Sequence, residues 1–223
     1  MTIKDIKPRA FIFDLNGTMI DDMAYHTIAW HSIITEDLGE KISYEAVKQE
    51  MYGKNHEVVE RIFGSERFTT EEISKLSLEK EKRYQEAYFP NLKLITGLEE
   101  FLIASKQKGI LMAIGSAAIM FNIDFVLNGL KIHDFFDTIV SADDVEISKP
   151  HPETFLKSAE KLGVAPSACV VFEDAPKGVE SALNAGMSCI VLTTTHKTEE
   201  FNGYTNILGF IDNFNDPILK TLF

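Results

Sequence analysis

The chain has 223 residues, 45% of them hydrophobic and 25% charged, ordinary values for a soluble globular protein with a sizeable core. Its formal net charge is −12 and it has no basic run, which argues against nucleic acid and anionic membrane as partners. No apolar run approaches the length of a bilayer span, and residues 1–7 lack the apolar core of a signal peptide, so the expected location is cytoplasmic. The two cysteines, Cys169 and Cys189, sit in apolar strand-like runs and are expected to be buried free thiols, not a disulfide or a metal site.

The first element is a strand over 9–15, where Phe11-Ile12-Phe13 runs into Asp14 and then into the turn Leu15-Asn16-Gly17-Thr18. Nothing between 24 and 88 resembles a buried strand. Four helices are expected there, at 25–38, 44–51, 57–63 and 71–88, with Gly39, Gly53 and Gly64 as punctuation and Thr70 as the start of the last. From 97 onward the pattern alternates. Helices at 97–108, 118–127, 152–162 and 175–185 are interleaved with strands at 110–114, 138–140, 169–172 and 189–192, and glycines close several helices. The last stretch, 206–223, offers one short strand and a terminal helix. Repeated βα units with short connections predict an α/β protein with a doubly wound, Rossmann-like parallel sheet. The expected domains are a core of residues 1–20 and 91–223 and an inserted all-helical cap of residues 21–90.

Four strand ends carry polar residues: Asp14 after the first, Ser116 after the second, Lys149 beyond the third, and Glu173-Asp174 after the fourth. Open α/β sheets bind ligands at the carboxyl ends of their strands. A carboxylate, a hydroxyl, a lysine and an acidic pair brought to that edge suit phosphoryl transfer through an aspartyl-phosphate. Asp14 is then the nucleophile, and Mg²⁺ is held by Asp14, the backbone carbonyl of Asn16 and Asp174. Ser116 and Lys149 hold phosphoryl oxygens, with Gly17, Thr18 and Ala117 completing the cradle. Glu173 either supports the metal or orients Lys149.

These motifs resemble the haloacid dehalogenase superfamily with a helical cap after the first strand. Asp14-Leu15-Asn16-Gly17-Thr18 is similar to its first motif, Ser116 to its second, Lys149-Pro150 to its third and Glu173-Asp174 to its fourth. Within it, Tyr25-His26 followed by Ala29-Trp30, and the segments 164–167 and 175–186, resemble the β-phosphoglucomutase and sugar-phosphatase group. The resemblance implies a Mg²⁺-dependent phosphatase or phosphomutase acting on a small phosphorylated metabolite, as a monomer or weak homo-oligomer. It also implies that His26, Trp30, Lys54, His56 and Lys80 of the cap face the substrate.

The chain departs from that pattern in three places. Asn16 stands where phosphate-ester-cleaving members have an aspartate that exchanges a proton with leaving group and water, and an amide cannot do this. His26 is the alternative carrier of that proton. Gly53-Lys54-Asn55-His56 occupies the turn where the mutase has a phosphate-gripping arginine, and Ala117–Met120 is apolar where the mutase has polar phosphate ligands. Both changes favour a monophosphatase over a mutase. Two alternatives stay open: a phosphonoacetaldehyde-type hydrolase with Lys54 as imine former, and a catalytically weakened phosphate-binding protein.

Overall fold

The computed structural model describes residues 6–223, so residues 1–5 of the polar N-terminal stretch lie outside the described residues. The chain divides into two compact units, one made of the residues up to Asp21 together with Lys93–Phe223, the other of Asp22–Leu92.

The first unit is built on six parallel strands: β1 Ala10–Phe13, β2 Leu111–Gly115, β3 Thr138–Val140, β4 Cys169–Glu173, β5 Ser188–Leu192 and β6 Ile207–Ile211. Their order is β3-β2-β1-β4-β5-β6. The chain steps outward from β1 to β3, then returns to the other side of β1 with β4. The direction of winding therefore reverses between β1 and β4, the place where doubly wound sheets hold their ligands. Phe13 lies opposite both Ile114 and Phe172, so the residues that follow these strands emerge level with one another.

Both faces of the sheet are covered, which is why β1 and β4 are apolar at successive positions. One face packs Ile12, Ala113, Val171 and Val191 against Phe155 and Ala159 of α7 (Glu153–Leu162) and Val179 and Ala182 of α8 (Pro176–Asn184). The other face is a phenylalanine stack. Phe13 and Phe172 lie parallel at 4.8 Å, and Phe101 of α5 (Leu98–Gln107) stacks on Phe11 at 5.3 Å. Cys169 and Cys189 are buried free thiols, and burial pushes the Cys169 thiol up to about 11.

The second unit contains α1 (Met23–Ser32), α2 (Tyr44–Gln49), α3 (Asn55–Phe63) and α4 (Thr70–Tyr88). Its apolar cluster is Trp30, Ile33, Ile34, Val47, Val58, Val59 and Ile73. Arg83 ties α4 to the turn after α1 through Asp37 at 2.6 Å and Ser32 at 3.0 Å.

The doubly wound α/β fold is the one expected. Local boundaries differ for identifiable reasons. Strand β1 stops at Phe13 because Leu15 O already accepts from Met19 N at 2.8 Å, closing the turn. Helix α4 is capped by Thr69, whose hydroxyl accepts from Glu72 N while Glu72 accepts from Thr69 N; the capping box starts one residue before the expected Thr70. Helix α6 (Met120–Leu130) begins two residues late because Ser116 Oγ takes Ala118 N at 3.1 Å and Asp143 takes Met120 N at 3.0 Å. The expected terminal helix is only the 3₁₀ turn Pro217–Leu222.

Candidate active site

At the reversal point of the sheet, Asp14 follows β1 and its N–H donates to Phe172 O of β4 at 2.9 Å. Its carboxylate is 7% exposed and accepts from Lys149 Nζ at 2.7 Å. The same ammonium donates to Glu173 Oε1 at 2.8 Å. Burial alone would lower the pKa of Lys149, but Asp14 and Glu173 outweigh it and hold the ammonium above its usual range. Lys149 is therefore a permanent cation across the physiological range.

Glu173 Oε2 accepts the backbone N–H groups of Asp174 and Ala175, each at 2.8 Å, immediately before α8. Negative charge is favoured at that helix end. With one oxygen on backbone amides and the other on Lys149, Glu173 is the partner of the lysine. Of the two roles expected for it, supporting the metal or orienting Lys149, these bonds are those of the second. Gly178 explains how it fits: a Cβ there would lie 1.8 Å from Glu173 Oε1.

Asp174 is 3% exposed. Its Oδ1 accepts from Thr18 Oγ1 at 3.1 Å and its Oδ2 accepts from Thr195 Oγ1. Burial first, then the charges of Glu173 and Asp14, push its carboxyl well above the usual range, opposed by the two threonine hydroxyls. Gly17 has φ +76°, and a Cβ there would stand 2.2 Å from Asp174 Oδ2, so this turn needs glycine for both its backbone and the space it leaves. Ser116 is buried at the end of β2, its N–H on Val140 O at 3.0 Å, with Ala117 next to it in the turn. The Ser116 hydroxyl accepts from Ala118 N, which leaves its own hydrogen for another acceptor. Asn16 is half-buried in the turn after β1.

The structure thus brings Asp14, Thr18, Lys149, Glu173 and Asp174 into one bonded cluster at the carboxyl ends of β1 and β4. Among the described residues no group of three or more His, Cys, Asp or Glu side chains forms a metal cage.

The helical unit has a buried cluster of its own. Lys80 Nζ lies 2.7 Å from His26 Nδ1 and donates to both oxygens of Glu81 at 3.0 and 3.1 Å. The other ring nitrogen, Nε2, lies 3.2 Å from Asp22 Oδ2. Tyr84 OH also donates to Asp22 Oδ2, at 2.6 Å, and its ring stacks on His26 at 3.7 Å. Both ring nitrogens of His26 are therefore engaged within this unit. Trp30, expected at the substrate, is 1% exposed and belongs to the apolar cluster. Lys54 caps α3 with its N–H on Glu57 Oε2 at 2.7 Å, and His56 is exposed. The buried lysine of this unit is Lys80, not Lys54.

Sequence reasoning missed Thr195, Gly178, Asp22, Glu81 and Tyr84. Two of these left a trace: Gly178 is a glycine inside a helical pattern, a sign of close approach, and Thr193-Thr194-Thr195 is a polar run at a strand end.

The sequence model of the haloacid dehalogenase-like hydrolases matches residues 11–192. Over 192 residues the chain is 30% identical to β-phosphoglucomutase of Bacillus subtilis, covering 82% of each. Over 179 residues it is 27% identical to fructose-1-phosphate phosphatase of Escherichia coli, 80% of this chain and 93% of that one. The crystal structure of β-phosphoglucomutase from Clostridium difficile superimposes with a TM-score of 0.81 over 93% of this chain and 92% of the other, at 30% identity. The match runs from within β1 to the last residue of β5, through every strand end that contributes to the buried cluster. The chain is an enzyme of the haloacid dehalogenase-like hydrolase family, in the branch it shares with β-phosphoglucomutase and sugar phosphatases.

Proposed function

We propose that the chain is a Mg²⁺-dependent phosphatase that moves the phosphoryl group of a small sugar phosphate or related metabolite through an aspartyl-phosphate on Asp14. The observation that carries this reading is the Asp14–Lys149 pair, 2.7 Å apart and buried at the reversal point of the sheet. A carboxylate oxygen of Asp14 attacks phosphorus, the P–O bond to the organic group breaks in line, and water then hydrolyses the acyl phosphate to return Asp14 and release phosphate. Lys149, fixed by Glu173, lowers the repulsion between Asp14 and the incoming anion. The Ser116 hydroxyl donates to a phosphoryl oxygen.

The donor set suits Mg²⁺. Three buried carboxylates, Asp14, Glu173 and Asp174, face one ammonium, an excess of negative charge that a divalent cation would offset. Asp14, Asp174 and the Asn16 carbonyl are hard oxygen donors, and Mg²⁺ is commonly held by one or two carboxylates while it keeps several waters. When bound, it neutralises charge on the nucleophile and the phosphate. The relatives named for sugar phosphates supply the substrate class. Asn16 places the limit: it hydrogen-bonds the leaving oxygen but gives it no proton, so esters with alkoxide leaving groups turn over slowly.

Phosphate release from a panel of phosphate esters, acetyl phosphate and pyrophosphate with Mg²⁺ tests this. Asp14→Ala is expected to abolish turnover and the hydroxylamine-labile phosphate on the protein. Asn16→Asp is expected to raise ester turnover by roughly 10²–10⁴. If neither the parent nor Asn16→Asp turned over any phosphorylated compound, the proposal would fail.

A further inference from the structure

Three consecutive threonines follow β5, and each hydroxyl donates to the end of a different strand. Thr193 Oγ1 bonds Asp212 Oδ1 beyond β6, Thr194 Oγ1 bonds Gly17 O in the turn after β1, and Thr195 Oγ1 bonds Asp174 Oδ2 just beyond β4, with Asp174 O at 3.2 Å. Strands β5 and β1 are not neighbours, because β4 lies between them. The Thr194 hydroxyl therefore reaches across the end of β4, and the segment spans the strand that carries Asp174. Thr18 Oγ1 approaches the other Asp174 oxygen at 3.1 Å, and Gly17 closes against Oδ2 with no room for a Cβ.

We propose that Thr195 is a positioning residue for Asp174: its hydroxyl, paired with that of Thr18, fixes the orientation in which the Asp174 carboxylate takes a divalent cation. This rests on the reading of Asp174 as a Mg²⁺ ligand. A carboxylate offers about four lone-pair sites, and two hydroxyl donors, one on each oxygen, occupy two of them and lock the rotamer while the others stay available. Outer hydrogen bonds of this kind orient a ligating carboxylate, and their removal typically costs 10–100-fold in metal affinity. Thr194 acts in the same direction on the neighbouring turn, since its bond to Gly17 O fixes the peptide that packs against Asp174.

Calorimetric titration of Mg²⁺ into the whole chain tests the proposal without reference to turnover. Thr195→Val keeps the shape and removes the donor, and Thr195→Ala reads the same loss a second time in case the valine variant does not fold. Both are expected to weaken Mg²⁺ binding by about 10–100-fold. Thr195→Ser restores the hydroxyl and is expected to bind close to the parent. Thr193→Val, which loosens the same segment but touches only the far strand end, is expected to leave affinity unchanged. Equal affinity in Thr195→Val and the parent would overturn the proposal, as would a Thr195→Ser as weak as the valine variant or an equal loss in Thr193→Val. A parent chain that bound no Mg²⁺ would instead remove the ligand role of Asp174, and this proposal with it.

Discussion

Lys149 in the sheet unit and Lys80 in the helical unit are 9% and 3% exposed, and each lies among acidic side chains. Burial pushes the pKa of both downward, yet Lys149 ends above its usual value and Lys80 below it. The difference lies in the direct partners. Lys149 donates to two separate carboxylates, at 2.7 and 2.8 Å. Lys80 donates to one carboxylate, Glu81, through both of its oxygens, and lies 2.7 Å from His26 Nδ1, while Asp22 adds a smaller favourable charge. One buried lysine is thus held as a cation by its partners, and the other gives up its proton more readily than a free lysine does. Two carboxylates within hydrogen-bond distance outweigh full desolvation; one does not.

The largest effect expected from breaking this comparison is at Lys149. Lys149→Met leaves Asp14, Glu173 and Asp174 buried with no ammonium among them, and removal of one partner from a buried pair costs about 3–5 kcal/mol. Urea unfolding in the presence of a chelator measures this, and phosphate release should fall below detection in the same protein. Lys80→Met should cost less, because Glu81 keeps Asn55 and Asp22 keeps Tyr84. Equal losses in the two variants would mean that the count of direct partners is not what separates the two lysines.

Gly178→Ala sharpens the comparison by making Lys149 more like Lys80. In an exposed helix this change stabilises by about 1 kcal/mol. Here the new Cβ would meet Glu173 Oε1 at 1.8 Å, so the carboxylate must leave the position in which it holds the ammonium. Overpacking of this kind typically costs about 1–3 kcal/mol, so after the helix gain the change is expected to destabilise by up to about 2 kcal/mol. The variant should also lose turnover although it touches neither Asp14 nor phosphate. A stabilised Gly178→Ala with full activity would show that Glu173 does not orient Lys149.

How far the sequence carried these results differs between the two units. In the sheet unit, apolar runs that end in Asp14, Ser116 and Glu173-Asp174 were legible because strand ends in a parallel sheet share one edge. The bonds of Glu173 to Lys149 and to the N–H groups of Asp174 and Ala175 were not, since they depend on where those groups point. Thr195 was invisible for a related reason: its partner is 21 residues away, and its role comes from β5 lying beside β4. In the helical unit the existence of four helices was legible from periodicity, but helix periodicity alone could not say which face of α1 meets which neighbour. The place of Trp30 in the apolar cluster and the approach of His26 to Lys80 and Asp22 were therefore not foreseen.

The smallest expected effect, and the one most specific to Lys80, is a pH slope. In the unfolded chain this lysine binds its proton up to its ordinary value of 10.5, whereas in the folded chain it releases it at lower pH, burial being the first cause. Between those two values the unfolded state binds more protons than the native state, so stability should rise with pH across that window, by at most about 1.4 kcal/mol per pH unit. Below the window the charged lysine is a standing cost to the fold. Lys149 behaves in the opposite way: its folded value lies above 10.5, so as the unfolded lysine begins to lose its proton near 10.5 it adds a slope of opposite sign, one that the parent and Lys80→Met share. Chemical unfolding of the parent and Lys80→Met at a series of pH values approaching 10.5 should therefore show the parent gaining stability relative to the variant as pH rises. Parallel curves would mean that Lys80 keeps an ordinary pKa in its buried site, and that a single carboxylate with an imidazole neighbour is enough to offset full burial after all.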